Sequence, residues 1–199
     1  MKPNPHRGHA MIPQAWKSRR EPAARAAKPC RMLRMPFSPL LIAAAAASLQ
    51  LHSPDIGGGA RVPSALMAER CGGQGRSPAL SWSAAPAGTR SFAIIVHDAD
   101  APVPGGFYHW VVYNLPAQTG SLAAGVTLAA DQAGLTTRGT PGFAGFCPPP
   151  GPAHHYVVTL YALDLEHLAS DPPLAGPQVE ARVAGHVLAR ATLEGTAAR

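Results

Sequence analysis

Three segments of the chain combine β-branched and aromatic residues in apolar runs of strand length. They are RSFAIIVH (90–97), HWVVYNL (109–115) and HYVVTLYAL (155–163). Runs of this composition, separated by Pro, Gly and Asn, favour strands over helices. The sequence therefore predicts a chain that is mainly β.

Two weaker signals complete the predicted secondary structure. A short edge strand is expected around Leu80 to Ser83, followed by a hairpin-like turn into the segment 90–97. Near the C-terminus, Val or Ala recurs at every fourth position from Val179 to Ala191. This spacing predicts a helix over 177–193 that covers an edge or a face of the sheet.

The basic character of the chain belongs to its first 47 residues. They contain nine Lys or Arg and one Glu, whereas residues 48–199 contain eight Arg and ten Asp or Glu. A nucleic-acid-binding domain requires a basic face to contact phosphates. We therefore expect no nucleic-acid partner for residues 48–199, whose length suits a single domain.

The leader, residues 1–47, ends like a secretory signal. Arg31 and Arg34 precede an apolar run from Met35 to Ala47 that ends in five alanines. This run is shorter than the roughly 20 apolar residues of a transmembrane helix. We expect cleavage near Ser48 and a periplasmic or secreted protein without a transmembrane span, or a cytoplasmic protein if the signal does not function.

Two further alternatives stay open at this point. Translation starts at Met1, or at Met32 or Met35, which would shorten the unusually long leader. After cleavage the chain keeps Cys71 and Cys147. This even number is compatible with a disulfide in an oxidising compartment and equally with two buried thiols.

The three predicted strands carry their polar residues at their ends. Asp98 and Asp100 follow the first strand, and His109 opens the second. His154 and Tyr156 open the third and, being two apart, lie on the same face. We expect these side chains to meet at one rim and form a pocket, although an aspartate such as Asp100 is equally suited to capping a turn.

The segment GTPGFAGFCPPPGPAHH (139–155) is expected to supply another wall of this pocket. Gly145 permits close backbone approach, and Pro148 belongs to a run of three prolines that stiffens the loop. Backbone N–H groups from Gly145 to Cys147 are expected to face an anion. A protonated His109 or His154 would attract the same anion, and phosphate is the expected ligand.

Four segments resemble the phosphatidylethanolamine-binding protein family, in its bacterial and archaeal Raf kinase inhibitor-like branch. They are SPALSWSAAPAGTRSFAIIVHDADAP, HWVVYNLP, FCPPPGPAHHYVVTLYALD and GHVLARATLEGT. The resemblance extends from about His52 to Thr196. It implies an antiparallel β-sandwich with Greek-key connections and a few peripheral helices, including one near the C-terminus.

The resemblance also implies a function. It predicts a non-enzymatic protein without a cofactor that binds a phosphate or a phospholipid head group and has a kinase or protease as a possible protein partner, which it inhibits or modulates. The pocket residues carried over from the family motifs are Asp98, Asp100, His109, Gly145, Pro148, His154 and Tyr156.

The sequence departs from the family pattern around this pocket. Ala99 and Phe146 stand where the family usually has proline, and His155 stands where it usually has arginine. The segment GLTTRGTP (134–141) lacks the usual Asn, acidic and aromatic cluster. These changes bear on the shape and selectivity of the pocket.

One alternative belongs to a different functional class. Asp98, His109 and His154 supply two imidazoles and a carboxylate, a ligand set that suits a metal-dependent hydrolase. The three residues would come from three different strands, and the sequence has no HExxH motif. Metal analysis of the purified protein distinguishes this alternative from a metal-free binding protein.

Overall fold

The computed structural model describes residues 48–169 and 171–199, which contain seven strands, one α-helix and two short 3₁₀ helices. The strands are β1 (Gln50–His52), β2 (Leu80–Ser83), β3 (Ser91–Asp98), β4 (Phe107–Pro116), β5 (Ser121–Leu122), β6 (His154–Leu163) and β7 (Val187–Ala197). The α-helix, α1, is Gly176–Val183, and the 3₁₀ helices are Ser64–Leu66 and Glu69–Cys71. The described part of the chain is mainly β, as the sequence predicts.

The strands form two antiparallel sheets. The larger sheet has the order β4-β3-β6-β7, and the smaller has the order β1-β2-β5. β3 lies between two neighbours, and its residues from Phe92 to Val96 are all buried. Burial on both faces explains why this strand is a continuous apolar run rather than an alternating one. The three strongest strand predictions are confirmed as β3, β4 and β6.

Two hydrophobic cores lie on opposite faces of the larger sheet. Phe92 and Ile94 of β3 belong to the core that the sheet shares with Trp82 of the smaller sheet. Ile95 points to the other face and belongs to a second core with Val179 of α1. The smaller sheet and α1 therefore cover the two faces of the larger sheet.

The predicted helix over 177–193 is wrong beyond Val183. The chain turns at 184–186 and continues as β7, which pairs with β6 along its length. From Val187 onward the side chains alternate between half-buried and exposed, the period of a strand. The fourfold spacing also fits this alternation, because residues four apart share a face in a strand as well as on a helix.

The strand predicted at Leu80 to Ser83 is confirmed, but its predicted position is not. β2 lies between β1 and β5, so it is the central strand of the smaller sheet rather than an edge. β3 belongs to the larger sheet, so no hairpin joins these two strands. The turn residues at 84–90 carry the chain from one sheet to the other.

The leader, with its apolar run from Met35 to Ala47, lies outside the described residues. Export, cleavage near Ser48 and the choice among the three candidate start codons therefore stay predictions. In the part of the chain that the structure describes, no helix is long and apolar enough to cross a membrane.

Candidate functional site

Strand register brings the polar strand ends together at one edge of the larger sheet. Asp98, the last residue of β3, pairs with Phe107 of β4 on one side and with Tyr156 of β6 on the other. His109 follows Phe107 by two residues and His154 precedes Tyr156 by two, so both lie on the face of Asp98. The structure therefore brings the side chains of Asp98, His109 and His154 close together.

Asp98 is the centre of this cluster. Its carboxylate Oδ2 accepts a hydrogen bond from His154 Nδ1 at 2.8 Å and lies 4.0 Å from His109 Nε2. Its Oδ1 accepts the backbone N–H of Asp100 at 3.0 Å. Asp98 is only 2% exposed and His154 only 7%. A buried carboxylate needs such donors, and here they fix both the carboxylate and the His154 ring.

His109 is held as a neutral ring. Its Nδ1–H donates to the carbonyl oxygen of Ala144 at 2.6 Å, which leaves Nε2 without a proton on the side of Asp98. Burial lowers the pKa of His109 to about 4, against opposing contributions from the Ala144 hydrogen bond and Asp98. The expectation that His109 could supply a cation is therefore wrong near neutral pH.

This burial predicts that the protein loses stability in mild acid. The folded-state pKa of His109 lies below its ordinary 6.5, so the unfolded chain binds the proton more readily. The free energy of unfolding should fall as pH drops from about 6.5 towards 4, by up to roughly 1.4 kcal/mol per pH unit. Urea unfolding of the protein and of His109→Gln at several pH values measures this loss. If the free energy of unfolding changes with pH equally in both proteins, the prediction is wrong.

Tyr156 contributes an unsatisfied donor. Its side chain is fully buried and stacks on Phe146, with ring centroids 3.9 Å apart. Its hydroxyl has no hydrogen-bond partner among the described residues. Burial, followed by the negative charge of Asp98, raises the pKa of this hydroxyl, so it keeps its proton. A buried O–H without a partner costs stability and is a donor available to a ligand.

These side chains line a cavity of about 120 Å³. Drug-sized ligands occupy sites of about 300–1,000 Å³, so this cavity suits a single small group. The residues that line it are Arg70, Asp98, Ala101, Pro102, Val103, Phe107, His109, Arg138, Cys147, Pro148, Pro149, His154 and Tyr156. We refer to it as the small pocket.

Two of the seven predicted site residues lie outside the small pocket. The Asp100 carboxylate is exposed and accepts hydrogen bonds from the N–H and Nδ1 of His155, both at 2.8 Å. These bonds lower the pKa of Asp100. A Cβ at Gly145 would lie 2.6 Å from the Cα of Ala68, so this glycine permits close packing of two backbone segments.

One of the three N–H groups of the predicted backbone nest over 145–147 is bonded within the protein. The N–H of Phe146 donates to the carbonyl oxygen of Leu66 at 2.9 Å, so it does not face the pocket. The loop instead contributes the ring of Pro148 to the wall, as expected.

Sequence reasoning missed Arg70 and Arg138, the two arginines that line the small pocket. Arg70 lies in the 3₁₀ helix Glu69–Cys71, whose Cys71 forms a disulfide with Cys147 across a Cα–Cα distance of 5.7 Å. The disulfide alternative, left open by the sequence, is thus the one found. The disulfide holds Arg70 beside the proline-rich loop. Pairing Cys71 with Cys147 in the sequence would therefore have predicted that Arg70 lies near this loop.

The metal-hydrolase alternative gains no support from this geometry. Among the described residues, no group of three or more His, Cys, Asp and Glu side chains has the arrangement of a metal site. His154 Nδ1 and Asp98 Oδ2 are hydrogen-bonded to each other, and His109 Nδ1 to a backbone carbonyl. These bonds leave the two Nε2 atoms as the candidate ligand atoms, and the described residues do not arrange them with Asp98 as a metal site.

Comparison with known proteins identifies the family of this chain. The sequence profile of the phosphatidylethanolamine-binding protein family matches residues 52–198. This chain belongs to the phosphatidylethanolamine-binding protein family. Among relatives, UPF0098 protein YbhB of Escherichia coli K12 is 38% identical over 153 residues, which cover 73% of this chain and 97% of YbhB.

Two further members of the family are informative. The crystal structure of Escherichia coli YbcL superposes with a TM-score of 0.72 at 32% identity, covering 77% of this chain and 99% of YbcL. LppC of Mycobacterium tuberculosis H37Rv, whose name describes a lipoprotein, is 37% identical over 155 residues. That match covers 77% of this chain and 74% of LppC.

Proposed function

We propose that this protein is a non-enzymatic binding protein that holds a phosphate, free or as part of a phospholipid head group, in the small pocket. The observation that carries the proposal is the buried, unpartnered hydroxyl of Tyr156 at a cavity that His154 and two arginines also line. A ligand oxygen would satisfy that hydroxyl, and the arginines would offset the ligand's charge.

The hydrogen bond between Asp98 and His154 determines which nitrogen of the His154 ring is left to contact the ligand. Because His154 Nδ1 donates to Asp98, its Nε2 can donate to an anion only when both ring nitrogens are protonated. His109, which burial keeps neutral, would contribute shape rather than charge.

The lining of the small pocket also supports binding rather than catalysis. It includes no Ser, Thr or Lys, and Cys147 is engaged in the disulfide. Ser, Thr, Lys and a free Cys, which are common covalent nucleophiles, are thus not part of this wall. Modulation of a kinase or protease, which the family resemblance implies, would act through the same recognition of a phosphate group.

Replacing His154 tests the proposal. His154→Ala should weaken phosphate binding by about tenfold to a hundredfold, since a charge-assisted hydrogen bond contributes roughly 1.5–3 kcal/mol. The matched control is His155→Ala, the next residue on β6, whose ring is half exposed and bonded to Asp100. Calorimetric titration with phosphate measures both, and a larger loss at His155 than at His154 would contradict the proposal.

We also propose that the protein is exported, with residues 1–47 removed. The Arg-flanked apolar run and the relative LppC, named as a lipoprotein, support this. Intact mass spectrometry of the protein from its native host should give a mature chain that begins near Ser48. A chain that keeps the alanines at 43–47 would contradict cleavage at this position.

A further inference from the structure

Arg70 and Arg138 line more than the small pocket. Both also line an adjoining cavity of about 350 Å³, which we call the arginine cavity. Its other walls come from the 3₁₀ helix region around Glu69 and from the loop between Thr140 and Gly145. The two cavities therefore share their arginines and lie side by side.

The positive charges of these two arginines are not paired with acidic side chains in salt bridges among the described residues. The one carboxylate that lines the arginine cavity in this part of the chain belongs to the exposed Glu69. The guanidinium of Arg138 lies 5.7 Å from the centre of the Phe107 ring, at the wall of the small pocket. A third arginine, Arg199, lies 3.1 Å from Sγ of Cys71.

The guanidinium of Arg70 is close enough to Arg138 and to Arg199 to be repelled by both. Partial desolvation, followed by the positive charges of Arg138 and Arg199, lowers the pKa of Arg70. Clustered arginines without acidic partners are arranged to bind an anion, since the guanidinium forms bidentate hydrogen bonds to phosphate oxygens. The small pocket, at about 120 Å³, has room for only one such group.

We propose that the small pocket and the arginine cavity form one site for a diphosphate. One phosphoryl group would occupy the small pocket at Tyr156 and His154, and the second would lie between Arg70 and Arg138. This inference rests on the proposed function and narrows the ligand to the class of diphosphates. It also predicts discrimination against phosphoethanolamine, whose ammonium group would face the arginines.

Calorimetric titrations of the purified protein with phosphate, pyrophosphate and phosphoethanolamine test the inference. Pyrophosphate should bind at least about tenfold more tightly than phosphate, and phosphoethanolamine no more tightly than phosphate. Arg70→Gln and Arg138→Gln should each weaken pyrophosphate binding about fivefold and phosphate binding about twofold or less. Both side chains are exposed, so these variants should fold normally.

Arg90→Gln is the matched control. Arg90 precedes β3, at the opposite end of that strand from Asp98, and pairs with Glu166. This variant removes the same charge at a position about 26 Å from Asp98 along the strand, so it should change none of the affinities. Equal affinities for phosphate and pyrophosphate, or equal losses in the Arg90, Arg70 and Arg138 variants, would overturn the inference and leave the proposed function standing.

The same titrations separate the two proposals and the possible sources of a diphosphate. If the protein binds neither phosphate nor pyrophosphate, the proposed function and this inference both fail. A nucleoside diphosphate and an isoprenyl diphosphate complete the series. If one of these two compounds binds more tightly than pyrophosphate, it identifies the class of diphosphate that the site takes. If both bind more weakly, the site is assigned to inorganic pyrophosphate.

Discussion

Asp98→Ala is expected to lower the free energy of unfolding by roughly 1.5–3 kcal/mol. The carboxylate is 2% exposed and accepts hydrogen bonds from His154 Nδ1 and from the N–H of Asp100. Without it, the Nδ1–H of His154 loses its acceptor at a buried position. Unsatisfied buried donors carry the full penalty of their desolvation. Urea unfolding at neutral pH measures the loss.

Asp100→Ala provides the matched control for this prediction. The two aspartates are two residues apart, and each bonds a histidine at 2.8 Å. The Asp100 and His155 side chains, however, are 46% and 53% exposed, so water can replace the bond. This change should alter the free energy of unfolding by no more than about 0.5 kcal/mol. Equal losses in the two variants would contradict the assigned burial of Asp98.

Removal of the disulfide is expected to have an effect of similar size. Cys71 and Cys147 are 76 residues apart in sequence, so their bond closes a long loop in the unfolded chain. The double variant Cys71→Ser, Cys147→Ser should lower the free energy of unfolding by roughly 2–4 kcal/mol. It should also weaken phosphate binding, since it releases Arg70 from the proline-rich loop.

A reductant provides the control for the disulfide prediction. Dithiothreitol should lower the stability of the unsubstituted protein to that of the double variant and leave the double variant unchanged. Thiol labelling of denatured, unreduced protein, followed by peptide mapping, should leave Cys71 and Cys147 unlabelled. Labelling of both cysteines would show two thiols and contradict the bond.

The strands of the larger sheet could be predicted where burial on both faces produced long apolar runs. β3 and β6 match their predicted segments to within one residue at each end, because no other element accommodates such runs so well. β7 could not be recognised, because its small residues, such as Ala189 and Ala191, carry a weak strand signal. Its pairing with β6 decides the conformation, and sequence spacing does not record that partner.

The polar core of the site could also be predicted, for a related reason. Asp98 and His154 stand at strand ends and His109 is the third residue of β4, and antiparallel pairing brings all three to one edge. Neither arginine belongs to a strand, because Arg70 lies in a 3₁₀ helix and Arg138 lies in a loop. Their positions depend on tertiary contacts, including the disulfide beside Arg70, which local sequence patterns do not encode.

The exposure of Asp100 and the packing role of Gly145 show the limit of motif transfer. Asp100 shares the acidic motif with Asp98, yet the chain turns immediately after β3 and directs its carboxylate to His155 instead. Gly145 belongs to the loop motif, but the close approach of Ala68 explains its lack of a side chain. A motif identifies the segment that forms the site, whereas each side chain's direction depends on the backbone.

The most direct test of the anion pocket is a crystal structure. Crystals of the protein grown without phosphate or sulfate would be soaked in phosphate and compared with unsoaked crystals. We expect tetrahedral density in the small pocket, within hydrogen-bond distance of the Tyr156 hydroxyl and of His154 Nε2. An unchanged pocket at saturating phosphate, or density confined to other surfaces, would contradict the account.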